Sequence, residues 1–190
     1  MGQRTQMVVE VVKTVEDYST GKKTKKTYLG SYHNQWGIAK MQLFDVMRFV
    51  TSYQDGFSKD AYAMPEQLHK GYRLDDESVF KGKATPERVM DWLNKQDNNN
   101  GGLLLKLNVD NFDYIQSGEL YIFNDPEREY SNHYNEHPDD DSNKVFEVNR
   151  QISLFEYICL YPEYFNEPFI TAFTALMRFY NIEIKEPKKD

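Results

Sequence analysis

The spacing of apolar residues switches repeatedly between two periods along this chain, and that switching restricts the fold more than any other feature. From Thr5 to Glu16, Met7, Val9, Val11 and Val15 fall on one face while Gln6, Glu10, Thr14 and Glu16 fall mostly on the other. A repeat of two is the pattern of a half-buried strand. Asp17-Tyr18-Ser19-Thr20-Gly21 reads as a turn, and Thr24, Thr27, Tyr28, Leu29 and Tyr32 supply the β-branched and aromatic content of a return strand, which predicts an N-terminal hairpin. Beyond Gly37 the spacing becomes helical: Leu43, Val46, Met47, Val50 and Tyr53 make one stripe, and Asp45, Arg48 and Ser52 make a narrow polar strip. Alternation returns at Leu103, Leu105, Leu107 and Val109. With Asp110-Asn111 as a turn and Ser117-Gly118 as a two-residue hairpin, the segments Phe112–Gln116 and Glu119–Phe123 predict a three-strand meander.

Helix starts are marked by residues that satisfy free backbone amides. Thr85-Pro86-Glu87 predicts a helix to about residue 95. Ser153-Leu154-Phe155-Glu156 has the spacing of a capping box and predicts a short helix to Leu160, which Pro162 ends. Asn166-Glu167-Pro168 opens a last helix whose apolar stripe is Phe169, Ala172, Phe173, Leu176 and Tyr180. Between Gln54 and Lys83 only a short helix near Pro65 to His69 is expected. The fold class this predicts is α+β: one domain over residues 1–190, with an antiparallel sheet of about five strands covered on one face by the helices that begin near Ile38 and Phe169. Residues 186–190 read as a frayed tail.

Only 39% of the residues are apolar, but 12 Phe, 14 Tyr and 2 Trp bury large areas and make a core feasible. The opening Met1-Gly2-Gln3-Arg4-Thr5-Gln6 lacks the apolar run of a secretory signal, and no stretch of about 18 apolar residues occurs, so a cytoplasmic protein with no membrane partner is expected. Cys159 lies between Ile158 and Leu160, where a buried, inert thiol is expected. The net charge of −7 argues against nucleic acid as a general partner. Between Asn124 and Asp141, Asp125, Glu127, Glu129, Glu136, Asp139, Asp140 and Asp141 outweigh the lone Arg128, so this stretch carries −6 of the −7 and reads as an acidic surface insertion over about 124–143. The opposite pole is Lys22-Lys23-Thr24-Lys25-Lys26, a solvated hairpin tip.

Two segments are candidate sites. His133-Tyr134-Asn135-Glu136-His137 has the His-x-x-Glu-His spacing with which two imidazoles one helical turn apart hold zinc while the glutamate activates water. Pro138 and three aspartates follow at once, so an acidic surface loop competes with the metal site of His133, Glu136 and His137. His33-Asn34-Gln35-Trp36 stands where the second strand hands over to the first long helix, a position that suits a binding site; the competing reading makes Trp36 a core anchor and lets Asn34 or Ser31 cap the helix. Phosphate loops, nucleophile elbows and paired cysteines are absent from the sequence.

Met1-Gly2-Gln3-Arg4-Thr5-Gln6 before a strand, Gln35-Trp36 before a long helix and Asn98-Asn99-Asn100-Gly101-Gly102 before Leu103 together resemble a group of small uncharacterised proteins of Gram-positive bacteria and their phages. The chain departs from that pattern in placing His33-Asn34, not an aromatic residue, directly before Gln35-Trp36, and in the acidic stretch 124–141. The resemblance implies a prophage or mobile-element source and no particular activity or catalytic residues. The function expected is that of a non-catalytic, protein-binding or regulatory protein without a cofactor, since aromatic residues anchor protein interfaces well. The alternatives are a zinc-dependent hydrolase built on His133, Glu136 and His137, and an acidic mimic of nucleic acid that inhibits a DNA-binding protein.

Overall fold

The computed structural model describes residues 5–34, 37, 39–54, 73–74, 83–94, 101–125 and 149–188, with the backbone alone for 33–34, 54 and 73–74. Within them the strands are β1 (Thr5–Asp17), β2 (Lys22–Asn34), β3 (Arg73–Leu74), β4 (Gly102–Val109), β5 (Ile115–Asn124), β6 (Arg150–Ile152) and β7 (Ile182–Ile184). The helices are α1 (Lys40–Gln54), α2 (Pro86–Leu93), α3 (Leu154–Leu160) and α4 (Glu167–Phe179), with a 3-10 turn at Pro162–Tyr164. The expected α+β class holds.

All seven strands join one sheet in the order β3-β2-β1-β4-β5-β6, with β7 also on β5. The sheet is mixed, not wholly antiparallel as expected. β1 and β4 run parallel from Gln6 opposite Gly102 to Lys13 opposite Val109, and β7 runs parallel to the start of β5. The chain leaves β2, passes through α1, touches the outer edge of β2 as β3, passes through α2 and enters beside β1 as β4, a long connection of the kind that parallel pairing requires. β6 pairs antiparallel with Ile122–Asn124 and β7 pairs with Gly118–Leu120, so two short strands share one edge of β5.

The meander is corrected as well. Residues 115–124 form one continuous strand, and the only turn between β4 and β5 lies at 110–114. Gly118 is therefore inside a strand, where its missing side chain lets β7 approach: a Cβ there would stand 2.7 Å from the Lys106 carbonyl oxygen and 3.1 Å from Ile182 Cγ1.

Both faces of the sheet are used. On one, Met7, Val9 and Val11 of β1, Leu103, Leu105 and Leu107 of β4, and Leu120 and Ile122 of β5 pack against α1, α3 and α4. Leu43, Val46, Phe49 and Val50 come from α1, Tyr157 from α3, and Phe173 and Met177 from α4, so the helices near Met47 and Phe173 do share one interior. On the other face, Val8, Leu29, Leu104 and Phe123 lie beneath Val89, Trp92 and Leu93 of α2. This second layer explains why β1 is buried on both faces from Thr5 to Val11.

Burial also reaches a charge. Glu10 sits beside the α2 layer, pairs with Lys106 Nζ at 3.0 Å and accepts the Ala84 amide at 2.8 Å, pinning the segment that leads into α2 to the sheet. The predicted helix starts are present. Thr85 accepts from the Arg88 amide, Ser153 and Glu156 form the reciprocal box, and Asn166 accepts from the Phe169 amide at 3.0 Å. Ala172 is exposed, and Met177 takes the buried place in the α4 stripe. Cys159, expected to be buried, is exposed on the outer side of α3.

Candidate functional site

The polar chemistry of the described residues gathers where β1, β4 and α1 end and β5 begins. Asp110 shapes the β4–β5 loop: its Oδ1 accepts the Phe112 and Tyr114 amides, both at 2.9 Å, and its Oδ2 accepts from Gln116 Nε2 at 3.1 Å. An aspartate that satisfies amides two and four residues ahead folds the backbone into a tight turn. The turn drives Asp113 into the left-handed region, φ +67°, where Asp is tolerated at a modest cost.

The Asp113 carboxylate then meets two other elements. Lys13 Nζ of β1 stands 2.7 Å from both of its oxygens, and the Tyr53 hydroxyl at the end of α1 donates to Oδ1 at 3.3 Å. Tyr53 is buried and stacks on Phe49, with ring centroids 6.0 Å apart. Burial chiefly, then the Asp113 charge and hydrogen bond, then Tyr28, push the Tyr53 phenol well above its ordinary value of 10.0. Tyr53 therefore stays protonated and serves as a donor. In this cluster the ammonium, the carboxylate and the phenol are engaged with one another, and the arrangement fastens a loop to a strand and a helix.

What the loop carries outward is aromatic. Phe112 is 68% exposed and Tyr114 54%. Tyr18, in the β1–β2 turn, is 68% exposed, and its hydroxyl accepts from Asn111 Nδ2 at 3.0 Å. That turn is held by Asp17, whose Oδ1 accepts from the Ser19 amide and hydroxyl and whose carbonyl accepts from Gly21 at 2.7 Å with φ +66°. Side-chain bonds from Ser19 and Thr20, with the Ser19 amide, hold the Asp17 carboxyl below its ordinary range. Phe179, 79% exposed, ends α4 against Tyr180 in an edge-to-face pair at 5.0 Å. Asn181 follows; its Nδ2 donates to the Gln116 carbonyl and its own carbonyl accepts from Gly118. Three segments of different sequence position are thus bonded to one another, and each presents an exposed ring at the same end of the sheet.

Most of the residues expected to form sites fall outside the described residues. His133, Glu136 and His137 are outside the described residues, as are Gln35 and Trp36. The backbones of His33 and Asn34 end β2 opposite Gln6 and Thr5. Ser31 pairs with Val8 and Leu74 inside the sheet, and α1 starts only at Lys40, so Ser31 does not cap that helix. At the start of α1, Ala39 has φ +48°, and its carbonyl and the Gln42 Oε1 both accept from the buried Tyr157 hydroxyl, at 3.3 and 2.6 Å. Leu43, Val46, Val50 and Tyr53 of the expected stripe are buried, but Asp45 of the expected polar strip is buried too, beside Gln42, while Met41 and Phe44 are exposed. Arg48 lies over the Phe44 ring at 5.5 Å, which shelters part of that apolar surface. Among the described residues no three His, Cys, Asp or Glu side chains converge as a metal site would require.

Spacing in the sequence had no means of joining Lys13, Tyr53 and Asp113, because the bonds between them cross separations of 100 and 60 residues. The readable signal was Asp110-Asn111 as a turn, and it marked the right loop. These features define a class: an α+β protein whose mixed sheet presents exposed aromatic side chains, on cross-bonded turns, at one end. No family model, curated protein or solved structure matches the chain. Among the described residues no helix is long and apolar enough to cross a membrane.

Proposed function

We propose that this is a non-catalytic binding protein of the cytoplasm that docks another protein through Tyr18, Phe112, Tyr114 and Phe179. The observation that carries this reading is the cross-bonding of the three segments that hold those rings. Asn111 ties the β4–β5 loop to the β1–β2 turn, Asn181 ties the end of α4 to β5, and Lys13 with Tyr53 fixes the loop to the frame. Exposed rings on fixed backbone lose little conformational entropy on binding, which is what makes an aromatic residue an effective interface anchor. The resemblance to proteins of bacteria and their phages fits a regulatory role toward a host protein.

Photo-crosslinking in cells tests this. A benzoylphenylalanine placed at Phe112 or Phe179 should give a discrete crosslinked product. The same group at Phe155, 74% exposed on α3, should not. No product at Phe112 and Phe179, or the same product from all three positions, would overturn the reading.

A further inference from the structure

β2 offers a second surface, of different chemistry. It is 13 residues long, yet among the described residues its outer edge is paired only at Ser31 and Tyr32, by the two residues of β3. From Lys22 to Thr27 the strand is exposed. On its inner side β1 accompanies it down to Asp17, but β4 stops opposite Lys13, so Thr14–Asp17 and Lys22–Lys25 project beyond the sheet as a two-stranded ribbon. An edge of this kind presents a row of backbone donors and acceptors ready for another strand.

The ribbon's charges select what that strand can be. Glu16 is taken by Lys23 at 3.6 Å, and the Asp17 carboxylate is turned into its own turn by Ser19. Lys25 lies opposite Thr14, and Lys26 lies opposite Lys13, whose charge Asp113 already occupies. Lys25 and Lys26 point to opposite faces because successive side chains of a strand alternate. A strand added at this edge places its side chains about 5 Å from those lysines. Two copies of β2 pairing edge to edge would set lysine against lysine, so the same residues that prevent self-association favour an acidic guest. A net charge of −7 opposes any polyanion at long range, so the local lysines and the amide ladder must carry recognition, and a nucleic acid has no backbone that matches that ladder.

We propose that the outer edge of β2, from Lys22 to Tyr28, receives an extended acidic segment of a partner protein as an added strand, with carboxylates opposite Lys25 and Lys26. This goes beyond the aromatic docking surface and depends on different residues.

The test uses the full chain and a fluorescent octapeptide Thr-Glu-Glu-Thr-Thr-Glu-Glu-Thr, whose adjacent Glu residues fall on opposite faces of a strand as Lys25 and Lys26 do. Controls are the same peptide with its central Thr residues replaced by Pro, a Thr-Lys version and a duplex oligonucleotide. Binding is read by anisotropy and by amide hydrogen exchange. The Thr-Glu peptide should slow exchange of alternate amides between Lys22 and Tyr28 at least about tenfold, and the double substitution Lys25→Gln, Lys26→Gln should weaken it roughly tenfold. The proline peptide should bind at least about tenfold more weakly, because proline cannot complete the ladder. Equal affinity of the proline peptide, or binding without amide protection, would reduce the surface to simple charge attraction and overturn strand addition. Tighter binding of the duplex would make it a nucleic-acid surface instead, and no binding of any probe would remove it. None of these results bears on the crosslinks at Phe112 and Phe179, so the two proposals fail separately.

Discussion

Asp113 is the residue on which the geometry of the aromatic end depends, and three substitutions separate its backbone from its side chain. The Lys13 pair is part-exposed, with side-chain exposures of 20% and 37%, so losing it costs about 1 kcal/mol. Asp113→Asn loses that charge but keeps an acceptor for Tyr53 and a side chain that tolerates the left-handed backbone; its cost is about 1 kcal/mol. Asp113→Gly also leaves the buried Tyr53 hydroxyl without its acceptor, about 1 kcal/mol more. Relief of the left-handed strain is roughly offset by glycine's greater freedom in the unfolded chain, so the total is about 2 kcal/mol. Asp113→Ala loses the same contacts and, without the local hydrogen bonding that lets Asp tolerate the left-handed region, carries about 1 kcal/mol more strain, for about 3 kcal/mol. For a chain of this length each kcal/mol lowers the melting temperature by roughly 2–4 °C, so the Ala variant should melt about 6–12 °C below wild type. Circular dichroism melts, with urea titrations to check that the slope is unchanged, give the order Asn, Gly, Ala from least to most damaging. An Ala variant no worse than Gly would show that the turn does not enforce the left-handed conformation. Three variants within about 0.5 kcal/mol of wild type would show that the carboxylate does not hold the loop.

Other perturbations test other joints of the fold. Glu10→Ala removes the partner of the Lys106 ammonium and the acceptor of the Ala84 amide and should cost about 3 kcal/mol in urea titrations, while Glu10→Met with Lys106→Met should recover the part due to the ion pair but not that of the amide; a double variant as unstable as the single one would refute the pairing. Gly118→Ala drives a Cβ to 2.7 Å from the Lys106 carbonyl and should cost about 1–3 kcal/mol by loosening β7, measurable as faster amide exchange at Ile182–Ile184; unchanged exchange would refute it. The raised Tyr53 phenol keeps its proton when the unfolded chain gives up its own, so stability is full below pH 10.0 and falls above it. Tyr53→Phe should therefore make the alkaline limb shallower by about 1.4 kcal/mol per pH unit, and an identical limb in the variant would contradict the assignment. Bonds from Ser153 hold Glu156 below its ordinary 4.5, so the stability they give is present above that value and lost as pH falls through the lowered one. Ser153→Ala should cost about 1 kcal/mol near neutral pH and markedly less in acid; an equal cost at both would show that the box is not linked to that carboxylate.

Elements whose hydrophobic period spans enough residues were readable, and those that depend on distant neighbours were not. The β1–β2 hairpin and α1 are long enough for alternation and helical spacing to stand out, and the capped starts of α2, α3 and α4 need only four consecutive residues. β6 and β7 have three residues each, too few to show any period, and they are strands only because the edge of β5 offers them partners. Ser117-Gly118 carried a genuine turn composition, but it is laddered to Asn108 and Leu107 of β4 on one side and, at Gly118, to β7 on the other, more than sixty residues away. Parallel pairing of β1 with β4 leaves no mark in either strand beyond burial on both faces. In α1, Asp45 read as a surface residue because polar side chains usually are; it is buried, as is Gln42, for which Tyr157, from another helix, supplies a partner.

The place where β4 ends links the two proposed surfaces mechanically. Up to Lys13, β1 has a backbone partner on either side; beyond it, only β2 remains, and the ribbon is held by one ladder. The Lys13–Asp113 pair sits at the last fully supported row, next to the register shift at Asn108 and Val109, and so replaces with side chains the backbone bonds that the loop cannot make. Motion of the ribbon must then hinge near the row of Lys13 and Lys26, with the bond between Tyr18 and Asn111 as a side-chain tie beyond it. A guest strand on β2 would add a second ladder to the ribbon and stiffen it against the loop that carries Phe112 and Tyr114. Breaking the outer tie with Asn111→Ala should accordingly speed amide exchange in Val15–Thr24 while leaving Met7–Val11 unchanged. If exchange rose equally in both stretches, the ribbon and the sheet would open as one unit and the hinge would not exist.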